Sequence, residues 1–288
     1  MKVAWLGLGR IGSLMAAHVA RSEHTLTVWN RTPGKAGDLV ELGATEATNV
    51  AAAVAGADVV VLMLFGPASV RAVLADVVTG APGALVMDGT TIGPDAAHEF
   101  AKACRDGGLR YVDAPVAGSL KPATDGTLGV FLGGSSDDVA VARELAVLWG
   151  DPDRVRHVGA VGSASALKLC VNQGLGVMAA GLGESLRLGR DLGLDETVLL
   201  DVLGATAYGW FLSQKRQMLD ADDFSGTTFS LDLMAKDLDL AVTSADSDLE
   251  VTRACLDQAK RALAAGHSGE DYAALTGHLA REGEAGSG

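Results

Sequence analysis

Cysteine is scarce in this chain: Cys104, Cys170 and Cys255 are widely spaced and include no Cys-x-x-Cys pair. A disulfide framework and a zinc knuckle are excluded, and three ordinary buried thiols are expected. Positive charge is also in short supply, with 23 lysines and arginines against 36 acidic residues and a formal net charge of -13. With no basic cluster standing out, a phosphate backbone would be repelled, and nucleic acid is not a partner to expect. Long apolar runs are missing. The purest, VVVLMLF at 59–65, falls far short of the roughly 20 residues that a membrane helix needs, and no basic segment leads into an apolar stretch at the front. A cytoplasmic protein with no membrane span is the expectation. The six histidines show no His-Glu-x-x-His spacing, and Ser163 and Ser165 in GSASA form no Gly-x-Ser-x-Gly elbow. Neither a metal site nor serine hydrolysis is supported. His157, His267 and His278 are expected on surfaces.

What the chain does contain is 288 residues, 48% apolar and 20% charged, enough for a large core in one large or two moderate domains. From the first residue to about His157, the β-rich runs KVAWL, TLTVW, DVVVLML, GALVMD, LRYVDAP, LGVFLGG and RVRHV alternate with alanine-rich helical stretches. That alternation predicts βαβ units on a mostly parallel sheet. From Gly162 onward the β signals fade while helical periodicity continues through ALKLCVNQGLGVMAAGLGESLRLGRDLG, DETVLLDVLGA, LDLMAKDLDLAVTSAD and EVTRACLDQAKRALAAG. An α/β domain over 1–161 and an all-helical domain over 162–288 are expected, the last residues, REGEAGSG, having the composition of a loose tail.

The strongest motif is GLGRIG, in which Gly7, Gly9 and Gly12 stand between an apolar strand and the helical SLMAAHVARS. Gly7 suits a tight turn, Gly9 a close approach of backbone to pyrophosphate, and Gly12 close helix–strand packing, with the helix N-terminus toward the phosphates. At the end of the second strand, where a carboxylate would accept from free ribose hydroxyls, the chain reads Asn30, Arg31, Thr32. Arg31 would instead pair with a 2′-phosphate, helped by the Asn30 amide and the Thr32 hydroxyl, with Lys35 adding charge. NADP(H) is therefore expected over NAD(H), the alternative being that Arg31 is a solvated turn residue.

GLGRIG, DAPVAGSLKPATDGTL (113–128), GSASALKLCVNQ (162–173) and MAKDLDLA (234–241), in that order, resemble the β-hydroxyacid dehydrogenase family over nearly the whole chain. WNRT and GSLKPA are most similar to its glyoxylate and succinic semialdehyde reductase branch. The resemblance implies an N-terminal Rossmann domain, a long interdomain helix and a helical domain that mediates oligomerisation into a homodimer or homotetramer, with the active site in the interdomain cleft. It implies NADPH-dependent reduction of a small aldehyde acid, with Lys168 as the catalytic lysine. A carbonyl oxygen that gains charge during hydride addition needs a cation to stabilise it and supply a proton. Asn172, one helical turn on, would hold the substrate oxygen or fix the lysine; as an isolated pair on a helix, the two residues would read as a surface pairing. Lys236 corresponds to a cofactor-side residue and Asp237 to its substrate-side neighbour, although AKDLDLA alone reads as an amphipathic helix. Leu8, Arg10 and Ile11 complete the cofactor loop, Thr91 matches a cofactor contact, and Met63 and Leu64 line the cofactor cleft or the core.

One departure from the family pattern stands in DAPVAGS. The family usually has a serine where this chain has Ala117, so the backbone N–H groups of Ala117, Gly118 and Ser119, with the Ser119 hydroxyl compensating, are left to receive a substrate carboxylate; Lys121 would supply charge or sit exposed. The same loss suits imine reductases, a related branch that takes uncharged cyclic imines but typically lacks the lysine. Tyr208, Trp210 and Phe211 would form an aromatic pocket wall or belong to core or dimer contacts. A non-catalytic NADPH-binding protein is the remaining alternative. Gly174, Gly176, Gly181 and Gly183 interrupt a predicted helix at about 1 kcal/mol each, which predicts close approach there by the Rossmann domain or a partner helix.

Overall fold

The run KVAWL forms β1 (Lys2–Leu6), whose side chains alternate between two buried faces, with Val3 and Trp5 on one and Ala4 and Leu6 on the other. Around it the computed structural model, which describes residues 1–281, assembles a unit spanning Met1–Leu169. Its further strands are β2 (Thr25–Trp29), β3 (Thr45–Glu46), β4 (Val59–Leu62), β5 (Leu85–Asp88), β6 (Arg110–Asp113), β7 (Val116–Ala117), β8 (Leu128–Gly133) and β9 (Gly150–Gly159). Its helices are α1 (Arg10–Ala20), α2 (Gly37–Glu41), α3 (Val50–Val54), α4 (Pro67–Gly80), α5 (Pro94–Asp106), α6 (Leu120–Asp125) and α7 (Ser136–Ala146). The strand order is β3-β2-β1-β4-β5-β6-β8-β7 with β9 on β8; pairing is parallel through β6, antiparallel for β6/β8 and β7/β8, and parallel again for β8/β9. Strands β4 and β5 are buried along their whole length, as parallel strands covered on both faces must be. Helices α1 and α7 pack on the Val3/Trp5 face, where Trp5 meets Trp149 edge-on at 5.4 Å, and α3, α4 and α5 pack on the other.

Chain order reverses at β1, with β2 on one side and β4 on the other, so the loops after β1 and β4 diverge at the carboxyl ends of the strands. In such sheets this is where ligands bind. The two-residue strands β3 and β7, too short for any periodicity, are additions to the expected set.

The second unit begins at Cys170, inside α8 (Ser163–Asp191), and continues with α9 (Glu196–Gly204), α10 (Gly209–Ala221), α11 (Leu231–Ser244), α12 (Glu250–Ala264) and α13 (Ala274–Arg281). Among the described residues it contains no named strand, and its core gathers Phe211, Met234, Leu238, Leu256 and Leu275. Helices α10 and α13 add to the helical segments picked out individually in the sequence and agree with an all-helical second half. A buried ion pair, Lys215 Nζ to Asp271 Oδ2 at 2.7 Å, ties α10 to the segment before α13, and Asp271 also accepts from the Thr228 N–H at 2.9 Å. The expected loose tail falls on 282–288, outside the described residues; Arg281 itself ends α13.

The α8 glycines do something other than expected. A Cβ on Gly176 would lie 2.9 Å from Leu238 Cδ2 of α11, and one on Gly183 would lie 2.9 Å from the Thr276 carbonyl of α13. Close approach at these positions is by helices of the same unit, and Gly174 has nothing within 4 Å. The cysteines also need one correction. Cys104 and Cys255 are buried, their thiols pushed up to about 12 by desolvation, but Cys170 is exposed. Of the histidines, His157 is exposed as expected, while His267 and His278 are half-buried and meet edge to face with ring centres 5.8 Å apart.

Candidate active site

Gly7 follows β1 with φ +108°, and a Cβ there would lie 2.2 Å from the Met63 carbonyl oxygen, so no other residue fits. A Cβ on Gly12 would come within 2.6 Å of the Gly7 carbonyl. Gly9, the residue before α1, has nothing within 4 Å of its Cβ position. The first turn of α1 has no acidic residue and no side-chain cap, so its N–H groups and positive dipole end suit a phosphate. Leu8 and Gly12 are buried, Ile11 half-buried and Arg10 exposed.

Asn30 braces this loop. Its Oδ1 accepts from the Leu8 N–H at 2.9 Å and its Nδ2 donates to the Thr32 carbonyl at 2.9 Å, so most of the amide expected to help a 2′-phosphate is committed to backbone. Arg31, Thr32 and Lys35 are exposed on a turn whose residues 30–36 (NRTPGKA) include no acid.

Beside this loop, Met63 and Leu64 follow β4 and are half-buried. The Leu64 N–H donates to Thr90 Oγ1 at 3.1 Å, the Thr90 N–H donates to Asp88 Oδ1 at 2.9 Å, and the Tyr111 hydroxyl donates to Asp88 Oδ2 at 3.0 Å. Asp88 thereby holds the turn that carries Thr91, which is half-buried. Burial pushes the Asp88 carboxyl up to about 6, against the opposing pull of its hydrogen bonds to Thr90 and Tyr111.

Asp113 is the residue paired with Asp88 on the neighbouring strand and is equally buried. It accepts from the Gly162 N–H on Oδ1 at 3.0 Å and from the Ser165 N–H on Oδ2 at 2.7 Å, at the start of α8. Lys168, half-buried, follows within the same unit. Ala117 lies on β7 opposite Gly129, half-buried, with Gly118 exposed and Ser119 half-buried before α6. Lys121 pairs with Asp125 at 2.7 Å on the surface, which occupies the charge considered for the substrate. His18 Nε2 lies 2.9 Å from the Ala123 carbonyl and ties α6 to α1.

The second unit contributes its own cluster. Asn172, four residues after Lys168 on α8, is 2% exposed and donates through Nδ2 to Asp237 Oδ2 at 2.5 Å. Asp237 is buried on α11, and its Oδ1 lies 2.6 Å from Lys236 Nζ. One carboxylate thus braces an amide and an ammonium. Of the aromatic trio, Phe211 is fully buried and packs edge-on against Tyr272 at 5.8 Å, so it is core; Tyr208 is half-buried and Trp210 is exposed. Sequence reasoning missed Asp88, Thr90, Tyr111 and Asp113. The available signal was an aspartate closing an otherwise apolar strand, in VMD and YVD.

The model of the NAD binding domain of 6-phosphogluconate dehydrogenase matches residues 2–159, and that described as the NAD-binding of NADP-dependent 3-hydroxyisobutyrate dehydrogenase matches 162–279. The chain belongs to the β-hydroxyacid dehydrogenase family. Two relatives within that family illustrate its range. An NAD-dependent L-serine dehydrogenase of Pseudomonas aeruginosa is 34% identical over 87% of this chain and 87% of that protein. The chloroplastic glyoxylate/succinic semialdehyde reductase 2 of Arabidopsis thaliana is 30% identical over 96% of this chain and 78% of its own. The solved 3-hydroxyisobutyrate dehydrogenase of Mycobacterium tuberculosis with L-serine matches with a TM-score of 0.85 and 29% identity, covering 96% of this chain and 98% of that one. The protein is therefore an oxidoreductase of a family that uses NAD(P), with the family's two-part architecture of α/β sheet and helical region.

Proposed function

We propose that this β-hydroxyacid dehydrogenase uses NADP(H) to reduce a small aldehyde acid, of the glyoxylate or succinic semialdehyde type, to its hydroxy acid. Residues 1–161 hold the cofactor, and 162–288 supply the substrate-facing helix and the surface for a homodimer or homotetramer. The observation that carries the reading is the buried bracing of Asn172 by Asp237, whose other oxygen lies beside Lys236, four residues along α8 from Lys168. The loop 7–12, with Met63, Leu64, Thr91 and Lys236, would hold the dinucleotide, and Arg31, Thr32 and Lys35 its 2′-phosphate, with Asn30 keeping the loop in shape. When bound, the cofactor supplies the hydride. Lys168, as an ammonium, stabilises the carbonyl oxygen as it gains charge and delivers the proton that completes the alcohol; in the oxidative direction the neutral amine takes that proton back. Asn172 orients the same oxygen, with Asp237 fixing its amide. Gly118 and Ser119 receive the acid end of the substrate beside Ala117. Ala117, lacking a hydroxyl, favours one other reading, reduction of an uncharged imine.

The test is NADPH consumption with glyoxylate, succinic semialdehyde and a cyclic imine, comparing wild type with Lys168→Ala and using NADH as control. Turnover of an aldehyde acid that falls on the order of 100-fold or more in Lys168→Ala is expected. In Arg31→Ala, loss of a charge-assisted contact should raise KM for NADPH about 10-fold while leaving that for NADH unchanged. Turnover of the imine alone, or indifference to Lys168, would overturn the reading, and equal KM changes for both cofactors would overturn the role of Arg31.

A further inference from the structure

Asp113 is a fully buried carboxylate to which the reaction above assigns no task. Strand β6 is paired on both sides at this residue, with Asp88 of β5 and Gly133 of β8, so its backbone has no freedom to drift. On the β5 side it cannot turn toward a partner, because Asp88 is itself a carboxylate already engaged by Thr90 and Tyr111. The side chain is directed instead to the start of α8, where its two oxygens take the N–H groups of Gly162 and Ser165 at 3.0 and 2.7 Å. The negative charge also complements the positive dipole end of that helix. Gly133 makes room for this arrangement, since a Cβ there would lie 2.4 Å from Asp113 Oδ1.

The two-point attachment carries mechanical information that a single hydrogen bond would not. One bond would leave a helix free to roll about it. Two oxygens of one rigid carboxylate, holding the N–H of the residue just before α8 and one from its first turn, restrain both the height of the helix and its roll. Lys168 stands three residues beyond Ser165, on the same side of the next turn.

We propose that Asp113 is a positioning residue for Lys168, setting from the edge of the sheet the rotation of the turn that presents the amine. This rests on the reading of Lys168 as proton donor. A lysine displaced by a fraction of a turn remains present and charged, but no longer meets the reacting oxygen.

The experiment is a double-mutant comparison in the full-length protein, using Asp113→Asn, Lys168→Ala and both together, with kcat measured across pH and NADPH affinity by fluorescence titration. Asp113→Asn keeps the size of the side chain but sets an NH2 against one of the two N–H donors. It should lower kcat about 10- to 100-fold, shift the pH limb of kcat that Lys168→Ala abolishes, leave NADPH affinity unchanged, and cause no further loss in the Lys168→Ala background. A purely structural residue would lower the folded fraction and reduce activity by the same factor in both backgrounds, and that result would overturn the proposal. So would an unchanged kcat and pH profile in Asp113→Asn when Lys168→Ala has collapsed. Full activity in Lys168→Ala would instead overturn the underlying reading, and the positioning role with it. If Asp113→Asn does not fold, Gly133→Ala keeps the carboxylate but displaces it, and the same non-additive pattern with Lys168→Ala is expected; additive losses would overturn the proposal.

Discussion

Asp88 shows how one buried residue couples local geometry to solution behaviour. Its carboxyl orders the turn that carries Thr90 and Thr91, yet desolvation raises it from an ordinary 3.8 to about 6. Between those values the folded chain holds a proton that the unfolded chain has released. The contribution of Asp88 to stability is therefore greatest in acid and declines as pH rises to about 6, by about 3 kcal/mol at most. Asp113 lies in register beside it and is raised in the same direction by burial, so the two slopes add. Replacing Asp88 with asparagine should flatten part of the pH dependence of the urea midpoint between about pH 4 and 7. An unaltered slope in Asp88→Asn would show that this carboxyl titrates normally. Arg31, by contrast, is exposed, so the role proposed for it would register in cofactor affinity and not in stability.

At the scale of the element, α8 carries both Lys168 and Asn172, and its glycines divide into two kinds. Gly174 is exposed and has nothing within 4 Å of its Cβ position, so alanine there should add helix propensity at no steric cost. Gly174→Ala is expected to stabilise the chain by about 0.5–1 kcal/mol. At Gly183 a Cβ would lie 2.8 Å from Leu279 Cβ and 2.9 Å from the Thr276 carbonyl, both of α13. Gly183→Ala is expected to destabilise by about 1–3 kcal/mol through overpacking. Thermal unfolding of the two variants side by side checks the contrast. A destabilised Gly174→Ala would mean that another surface, such as a partner subunit, already packs on that position.

For the whole molecule, the second unit exposes more apolar surface than a solitary domain requires. Leu188 near the end of α8, Leu192 and Leu194 after it, and Val198 and Val202 on α9 are each more than half exposed. Residues of this size seldom cluster uncovered on a monomer. Light scattering should give a mass of a dimer or tetramer of the 29.4 kDa chain, lowered by Leu192→Glu with Val198→Glu. A monomeric wild type would refute the expected assembly. Among the described residues no helix is long and apolar enough to cross a membrane, and no three histidine, cysteine, aspartate or glutamate side chains gather as a metal site.

The local rules were sufficient wherever one stretch of chain determined its own structure. The alternation of strand and helix signals, the strand–GLGRIG–helix unit and the long apolar period of α8 were legible because side-chain periodicity and glycine sterics act over a few residues. The resemblance of ordered motifs offers Lys168, Asn172, Lys236 and Asp237 as candidates because each motif is contiguous. Partners distant in sequence were not legible. That Asn30 would spend its amide on Leu8, that Asp237 would brace Asn172 from 65 residues away, that Phe211 would sink into the core against Tyr272, and that α8 glycines would admit α11 and α13 depend on which surfaces folding brings together. The buried aspartates were the least legible of all. Asp88 finds one donor locally, the Thr90 N–H two residues on, but only the tertiary structure delivers the Tyr111 hydroxyl to it and the Gly162 and Ser165 N–H groups to Asp113, which make burial of both carboxyls tolerable.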